Sequence, residues 1–176
     1  MMQRVRQFFQ AIRAQLSAAD RCFIAEHLPE KVQPLFWGMT LPDQCHALRV
    51  ARTAMALAEQ KRPAGLDLAL LLRASLLHDI GRQRGDMGTF DKVFAVLLYG
   101  VVPQRAAAWA VPGRGTGLTG LRHALYIYGH HPAIGARRLQ QAGLDREAML
   151  AAGHHKAPAE SDPPELLLLR QADAMN

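Results

Sequence analysis

A histidine and an aspartate stand side by side at positions 78 and 79, at the end of an apolar run from Leu68 to Leu77. An imidazole nitrogen and a carboxylate oxygen offered by one turn of chain are ligands that suit Mn, Fe, Ni or Zn. The alternative interpretation is a helix end that simply carries polar residues. Taken by itself the pair favours that alternative, so the rest of the chain decides between the two.

Other residues that could bind a metal recur at or near the ends of apolar helical patterns. They are His46, His131, His154, His155 and Asp173. Asp173 continues the stripe of Leu166 and Leu169, so it should point toward the core, where an unpaired carboxylate is costly. Either a metal ion or Arg170, three residues earlier, is expected to satisfy this carboxylate.

The run that precedes the His-Asp pair has the spacing of a helix. Leu71, Ala74 and His78 recur on one face, and Gly81 is expected to end the helix. The pair therefore lies in the last turn, where the helix macrodipole is negative and favours a cation.

The chain shows helical periodicity throughout and no strand-like alternation, which predicts an all-α fold of about eight to ten helices. Apart from the helix before the pair, the periodic segments run from Gln3 to Leu16, Ser17 to Leu28, Glu30 to Met39, Leu41 to Lys61, Phe90 to Ala110 with a break near Gly100 and Pro103, Leu121 to Tyr128, Ala133 to Gln141, Asp145 to Gly153, and Pro163 to Asn176. Gly129 and Pro132 are expected to break the chain between two of these helices, because proline suits a first helical position. The very apolar stretch from Phe90 to Ala110 is expected to be core or a face that pairs two copies in a homodimer.

The composition is that of one globular domain. The chain has 176 residues, of which 49% are apolar and 20% are charged, and this length allows an ample core. Only Cys22 and Cys45 are present, which excludes a disulfide framework and favours a reducing compartment. Arginines interrupt the apolar residues of Met1 to Leu16, so no signal peptide is expected there, and no apolar run is long enough to cross a membrane. A cytoplasmic location is the expectation.

The formal net charge is +6, and most of the positive residues are arginines. Arginine binds phosphate through its planar fork, so a phosphorylated small molecule or a nucleotide is the expected partner. No recognised nucleic-acid-binding motif is present. The glycine-rich, basic loop 82–88 follows the His-Asp pair directly, and it is either a phosphate-binding loop or a plain connector.

The ordered series His46, His78-Asp79 and Asp173 resembles the HD superfamily of metal-dependent phosphohydrolases. The local sequences CHALRVA at 45–51 and LLHDIG at 76–81 carry the similarity, which runs from about residue 41 to the end. The resemblance implies a single-domain helical bundle of the HD type over residues 41–176. It does not cover residues 1–40, whose helical periodicity predicts an extension packed on the domain.

The second half of the chain is similar to the metal-binding pattern of HD-GYP-type domains, which hydrolyse cyclic dinucleotides. The sequence HPAIGA at 131–136 and the later residues His154, His155 and Asp173 carry this similarity. It implies two divalent transition metal ions, of Mn, Fe or Ni, with Mg or Zn as alternatives. One ion would be held by His46, His78, Asp79 and Asp173, and the other by Asp79 as the bridge with His131, His154 and His155. The Gly-Tyr-Pro signature is absent, so the chain is interpreted as a small HDIG-type domain.

The resemblance implies hydrolysis of a phosphoester or phosphodiester of a nucleotide-like substrate by a hydroxide that the metals activate. His78 and Asp79 are the expected catalytic residues. The candidates for binding the substrate are Arg82, Arg84, Lys156, Arg137 and His130. Two alternatives stay open at this point, a di-iron oxygenase with the HD fold and a non-catalytic HD module that senses a nucleotide.

Overall fold

The computed structural model describes residues 15–176, and within them the chain forms nine α-helices and no strand. The α-helices are α1 (Ala18–His27), α2 (Gln33–Trp37), α3 (Leu41–Lys61), α4 (Leu68–Leu77), α5 (Thr89–Val101), α6 (Pro103–Trp109), α7 (Gly117–Gln141), α8 (Asp145–Gly153) and α9 (Pro164–Met175), and a 3-10 turn over Glu30–Val32 precedes α2. The prediction of an all-α fold is confirmed. The helix predicted from Gln3 to Leu16 falls almost entirely outside the described residues.

Helix α4 is the central element of the bundle. Its side chains are apolar nearly all round, which is typical of a helix surrounded by others, and α3, α8 and α9 pack against it. The carboxylate of Asp67 accepts a hydrogen bond from the backbone N–H of Leu70 at 3.0 Å and so fixes where the helix begins. The helix ends at Leu77, and His78 and Asp79 lie in the turn that follows, slightly beyond the last turn where they were expected.

Two apolar clusters meet on α4. One cluster joins α1 and α2 to the carboxyl end of α4, and it includes the fully buried Ile24, Phe36 and Leu76. The other joins the amino end of α4 to α3, α8 and α9, and it includes Leu71 and Leu169. Residues from the first forty positions therefore share a core with the rest of the bundle.

Helix α7 is continuous from Gly117 to Gln141, so the break predicted at residues 129–132 is wrong. Pro132 has no N–H to donate to the carbonyl of Tyr128, four residues earlier. The ring Nδ1–H of His131 donates to that carbonyl instead, at 2.8 Å. Because this side chain replaces the missing backbone donor, the helix accommodates the proline.

Helices α5 and α6 carry the apolar stretch that was expected to be core or a dimer face. Phe90 is 90% exposed, Leu97 is 53% exposed and Val101 is 77% exposed, whereas Ala95 and Ala106 are buried in a small cluster of their own. The core alternative is wrong for these exposed side chains, whereas Leu98 and Tyr99 pack against the small cluster. The dimer face stays a prediction. Among the described helices, none combines the length and the hydropathy needed to cross a membrane.

Candidate metal site

The structure brings the seven candidate ligands of the sequence together at one place. His46 lies on α3, the His-Asp pair follows α4, His131 lies on α7, His154 and His155 follow α8, and Asp173 lies on α9. They form three overlapping groups, and within each group the ligand atoms lie within 4.8 Å of one another. The groups are His46 with His78 and Asp79, His78 with His154 and Asp173, and His131 with His154 and His155.

Asp79 lies at the centre of the site with its two carboxylate oxygens facing different residues. Oδ2 is 3.5 Å from Nε2 of His78 and 3.9 Å from Nε2 of His46. Oδ1 is 3.2 Å from Nε2 of His131 and 3.8 Å from Nε2 of His154. The carboxylate therefore separates two sets of nitrogen atoms, one on each side.

Asp173 completes the first of these sets. Its Oδ1 accepts a hydrogen bond from Nε2 of His46 at 3.0 Å and lies 3.7 Å from Nε2 of His78. Arg170, the alternative partner considered from the sequence, donates instead to the carboxylate of Asp162 and to the carbonyl of Gly153. The Arg170 alternative is therefore wrong.

Three of the histidines are oriented by the helices that carry them. The Nδ1–H groups of His78, His131 and His154 each donate to the carbonyl three residues earlier, at 2.8, 2.8 and 2.6 Å respectively. With the proton on Nδ1, each ring carries a free lone pair on Nε2, which faces Asp79. A hydrogen bond of this kind fixes the tautomer and the ring orientation of a metal-binding histidine.

Several buried polar atoms at the centre of the site have no hydrogen-bond partner. They are Nε2 of His78, Nε2 of His154 and Oδ1 of Asp79. Nitrogen lone pairs that face a carboxylate oxygen cannot satisfy it, and leaving such buried groups unpaired is costly. Cations bound among these atoms would satisfy all three. The donor set of imidazole nitrogens and carboxylate oxygens therefore fits a divalent transition metal ion.

The protonation states also suit metal binding. Burial acts to raise the pKa of Asp79, but the charge of Arg82 together with the contributions of His78 and His131 outweighs it, so the pKa lies well below its ordinary value. Burial lowers the pKa of His131 to about 4 and also lowers the pKa of His154 and of His155. A charged carboxylate and neutral imidazoles are the forms that bind a metal ion.

Arg82, a candidate for substrate binding, points into the site. Its Nη1 donates to Oδ2 of Asp79 at 2.6 Å and its Nη2 donates to Nε2 of His131 at 2.9 Å. Because Nε2 of His131 accepts this bond, it cannot also donate to Asp79. The side chain of Arg82 is only 12% exposed, so its guanidinium belongs to the interior of the site.

The remaining candidates for substrate binding lie at the surface. Arg84, His130, Arg137 and Lys156 are all exposed. Arg84 donates to the carbonyl of Trp37 at 2.9 Å, and His130 stacks on Tyr126 with ring centroids 4.5 Å apart. His131, rather than its neighbour His130, therefore faces Asp79. The roles of these residues toward a substrate stay predictions.

Gly81 was predicted only to end a helix, but it also allows two backbone segments to approach each other closely. A Cβ atom built on Gly81 would lie 2.0 Å from the carbonyl oxygen of His131. Only glycine lets the turn after the His-Asp pair approach the backbone of α7 so closely. This approach brings Asp79 and His131 within reach of each other.

The loop at 82–88 is fixed by Asp86, another residue that the sequence did not single out. Its buried carboxylate accepts from the backbone N–H of Gln83 at 2.7 Å and from Arg114 at 2.7 Å. The only signal in the sequence is an acidic residue inside the turn Gly85-Asp86-Met87-Gly88. His123 lies 3.5 Å from Asp86, apart from the candidate ligands.

The comparisons with known proteins bear on the first half of the site. Residues 44–108 match the family model of the HD domain. The matched segment contains His46, His78 and Asp79, and it ends before the other four candidate ligands. The chain matches no curated protein and no solved structure.

Proposed function

We propose that this protein, whose residues 44–108 match the family model of the HD domain, hydrolyses a phosphoester or phosphodiester bond of a nucleotide-like substrate. The observation that supports this most strongly is the set of unpaired nitrogen and oxygen atoms that converge around Asp79. When bound, divalent metal ions stabilise charge on a phosphoryl group and lower the pKa of water so that hydroxide is available near neutral pH.

Two sets of residues would hold the ions. One set is His46, His78, Asp79 and Asp173, and the other is Asp79, His131, His154 and His155. Asp79 belongs to both sets because its two oxygens face opposite ways. The mixed nitrogen and oxygen donors favour Mn, Fe or Ni over Mg.

The burial of the ligands indicates the side from which a substrate enters. His78, Asp79 and His131 are at most 2% exposed, so they form the closed floor of the site. His155 is exposed, and the side chains of His46 and Asp173 are each 19% exposed. Lys156 directly follows His155 on this open side, where its charge would favour a phosphate. The substrate would therefore approach past His155 and Asp173.

The test is phosphatase and phosphodiesterase activity of the protein reconstituted with Mn, Fe or Ni. Generic nitrophenyl phosphomonoesters and phosphodiesters and a panel of nucleotides serve as substrates, in air and under anaerobic conditions. We expect hydrolysis that does not depend on oxygen and that falls by more than about a hundredfold in His78→Ala, because loss of a group that merely supports a ligand already has an effect of up to that size.

A matched control for metal binding is His130→Ala, which removes an exposed histidine that stacks on Tyr126. This variant should retain its metal content. Product formation that requires oxygen would support the oxygenase alternative instead. Metal-loaded protein that binds nucleotides and turns over none of the substrates would support the sensing module.

A further inference from the structure

The guanidinium group of Arg82 lies between residues of the two candidate metal sets. Nη1 donates to Oδ2 of Asp79 at 2.6 Å, and Nη2 donates to Nε2 of His131 at 2.9 Å. The backbone N–H of Arg82 donates to the carbonyl of Asp79 at 2.9 Å, which closes the turn and directs the side chain inward. The guanidinium of Arg82 is therefore the positively charged group of the protein that forms a hydrogen bond with the buried carboxylate of Asp79.

The contact with His131 occupies the atom that a metal ion would need. Nδ1–H of His131 donates to the carbonyl of Tyr128, so the only lone pair of the ring is on Nε2. That lone pair accepts from Arg82 and cannot bind a metal at the same time. A metal ion and the guanidinium of Arg82 are both positively charged, so they would also repel each other when both lie beside the carboxylate of Asp79.

The other set leaves its nitrogen atoms clear of Arg82. Nε2 of His78 has no hydrogen-bond partner. Nε2–H of His46 donates to Asp173, itself a candidate ligand, so an ion bound there replaces an exchangeable proton rather than a guanidinium. An ion bound there shares only Oδ2 of Asp79 with the guanidinium, and a carboxylate oxygen accepts more than one partner. The two sets are therefore unequal in what an ion must displace.

We propose that Arg82 is an internal cation that competes with the metal ion for Asp79 and His131, an inference that rests on the proposed metal-dependent function. The set with His46, His78 and Asp173 binds its ion tightly. The set with His131, His154 and His155 binds its ion more weakly, and only when the Arg82 side chain moves out. A guanidinium released in this way presents its planar fork to an anionic substrate.

The test is a calorimetric titration of the metal-free protein with Mn²⁺ alone, on the wild type, Arg82→Gln and Arg84→Gln. The wild type should bind two ions in separate steps, the second weaker by at least about tenfold, which corresponds to a hydrogen bond with a charged group. Arg82→Gln should tighten the second step by a similar factor and leave the first unchanged. Arg84→Gln is the matched control, because Arg84 is exposed and bonds to Trp37, and it should titrate like the wild type.

Further variants keep the result interpretable if Arg82→Gln folds poorly. Arg82→Lys retains one positive charge but cannot bond to both residues, so its second step should have intermediate affinity. His131→Ala should abolish the second step. Equal affinities for both ions in the wild type, or a second step that neither Arg82 variant changes, would overturn the competition while the metal site stands. Absence of any binding step would overturn the proposed function together with the competition.

Discussion

At the scale of single residues, the site depends on Asp79 because its two oxygens face different sets of nitrogen atoms. His78 lies on the Oδ2 side and His131 on the Oδ1 side. No other candidate ligand has this position between the sets. A substitution of Asp79 should therefore act on both ions, and a substitution of His131 on one.

We expect Asp79→Ala to lose both metal ions and all hydrolysis, whereas His131→Ala should lose one ion and keep the other. Elemental analysis of the purified, reconstituted variants measures the metal content, and circular dichroism confirms that each is folded. The neighbouring His130→Ala serves as the control with full content. Two ions retained in Asp79→Ala would contradict the bridging position, and unchanged content in His131→Ala would show that this histidine is not a ligand.

The sequence identified the residue types of the site but not how Arg82 takes part. His and Asp residues at the ends of apolar helices indicated metal ligands, and the structure brings all seven of them together. An arginine after the pair could equally have pointed to solvent, as Arg84 does. The turn closed by the backbone hydrogen bond from Arg82 to Asp79 decides between the two directions, and the hydrogen bonds of a loop cannot be derived from spacing.

At the scale of helices, Pro132 connects the backbone of α7 to the site. A proline inside a helix leaves the carbonyl four residues earlier without its donor, and the ring of His131 uses that carbonyl of Tyr128. The sequence suggested a break because proline usually ends a helix. It could not show that the preceding histidine would replace the missing bond, since this requires the ring rotamer.

We expect Pro132→Ala to stabilise α7 and to weaken the ion of the His131 set. The new backbone N–H would compete with His131 for the carbonyl of Tyr128, so the ring would be less well oriented, and metal affinity should fall by about tenfold or more. The free energy of unfolding in urea should rise by about 1–3 kcal/mol, because alanine is the better helix former. Mn²⁺ titration measures the affinity.

Pro103→Ala is the matched control, since Pro103 is at the first position of α6, where its missing N–H has no intrahelical partner to lose. It should change neither metal affinity nor the order of the binding steps. Unaltered affinity in Pro132→Ala would show that the hydrogen bond from His131 does not orient the ring.

An ion pair between a buried aspartate and a partly exposed lysine joins α3 to α5. The carboxylate of Asp43 accepts from Nζ of Lys92 at 2.6 Å and from the hydroxyl of Thr40 at 2.6 Å. Burial acts to raise the pKa of Asp43, but the charges of Lys92 and Arg82 together with the hydrogen bond from Lys92 outweigh it, so the pKa is lowered from its ordinary value. The charged form therefore stabilises the fold.

We expect Asp43→Asn to lower the free energy of unfolding by about 1–2 kcal/mol at pH 7, because Lys92 loses its charged partner but is itself partly exposed. A carboxyl with a depressed folded-state pKa contributes stability above its unfolded value, about 4. It loses that contribution as the pH falls through the folded-state value. The difference between wild type and variant should therefore shrink as the pH falls below about 4 and vanish below the folded-state pKa, as urea unfolding across pH measures. The exposed Asp145→Asn should show little difference at any pH.

At the scale of the whole molecule, the helical periodicity was sufficient to predict an all-α bundle. The bounds of α3 and the start of α4 follow directly from their apolar patterns and from capping residues such as Asp67. The exposure of Phe90 and Val101 could not be predicted, because an apolar helix face looks the same in sequence whether it is covered or not. The matched family segment ends at residue 108, so the second half of the site rests on the geometry of α7, α8 and α9.

The candidate ligands come from five separate segments of the chain, and an ion bound among them would join the ends or faces of α3, α4, α7, α8 and α9. The unfolded chain cannot present these residues together, so binding should favour the folded state.

At an ion concentration of about a hundred times the Kd, the free energy of unfolding should rise by about 2.7 kcal/mol. For a chain of this size that corresponds to a rise in Tm of about 5–10 °C. Thermal unfolding with Mn²⁺, and again after a chelator, measures the shift. Asp79→Ala should show none, and an equal shift in that variant would place the ion elsewhere on the surface.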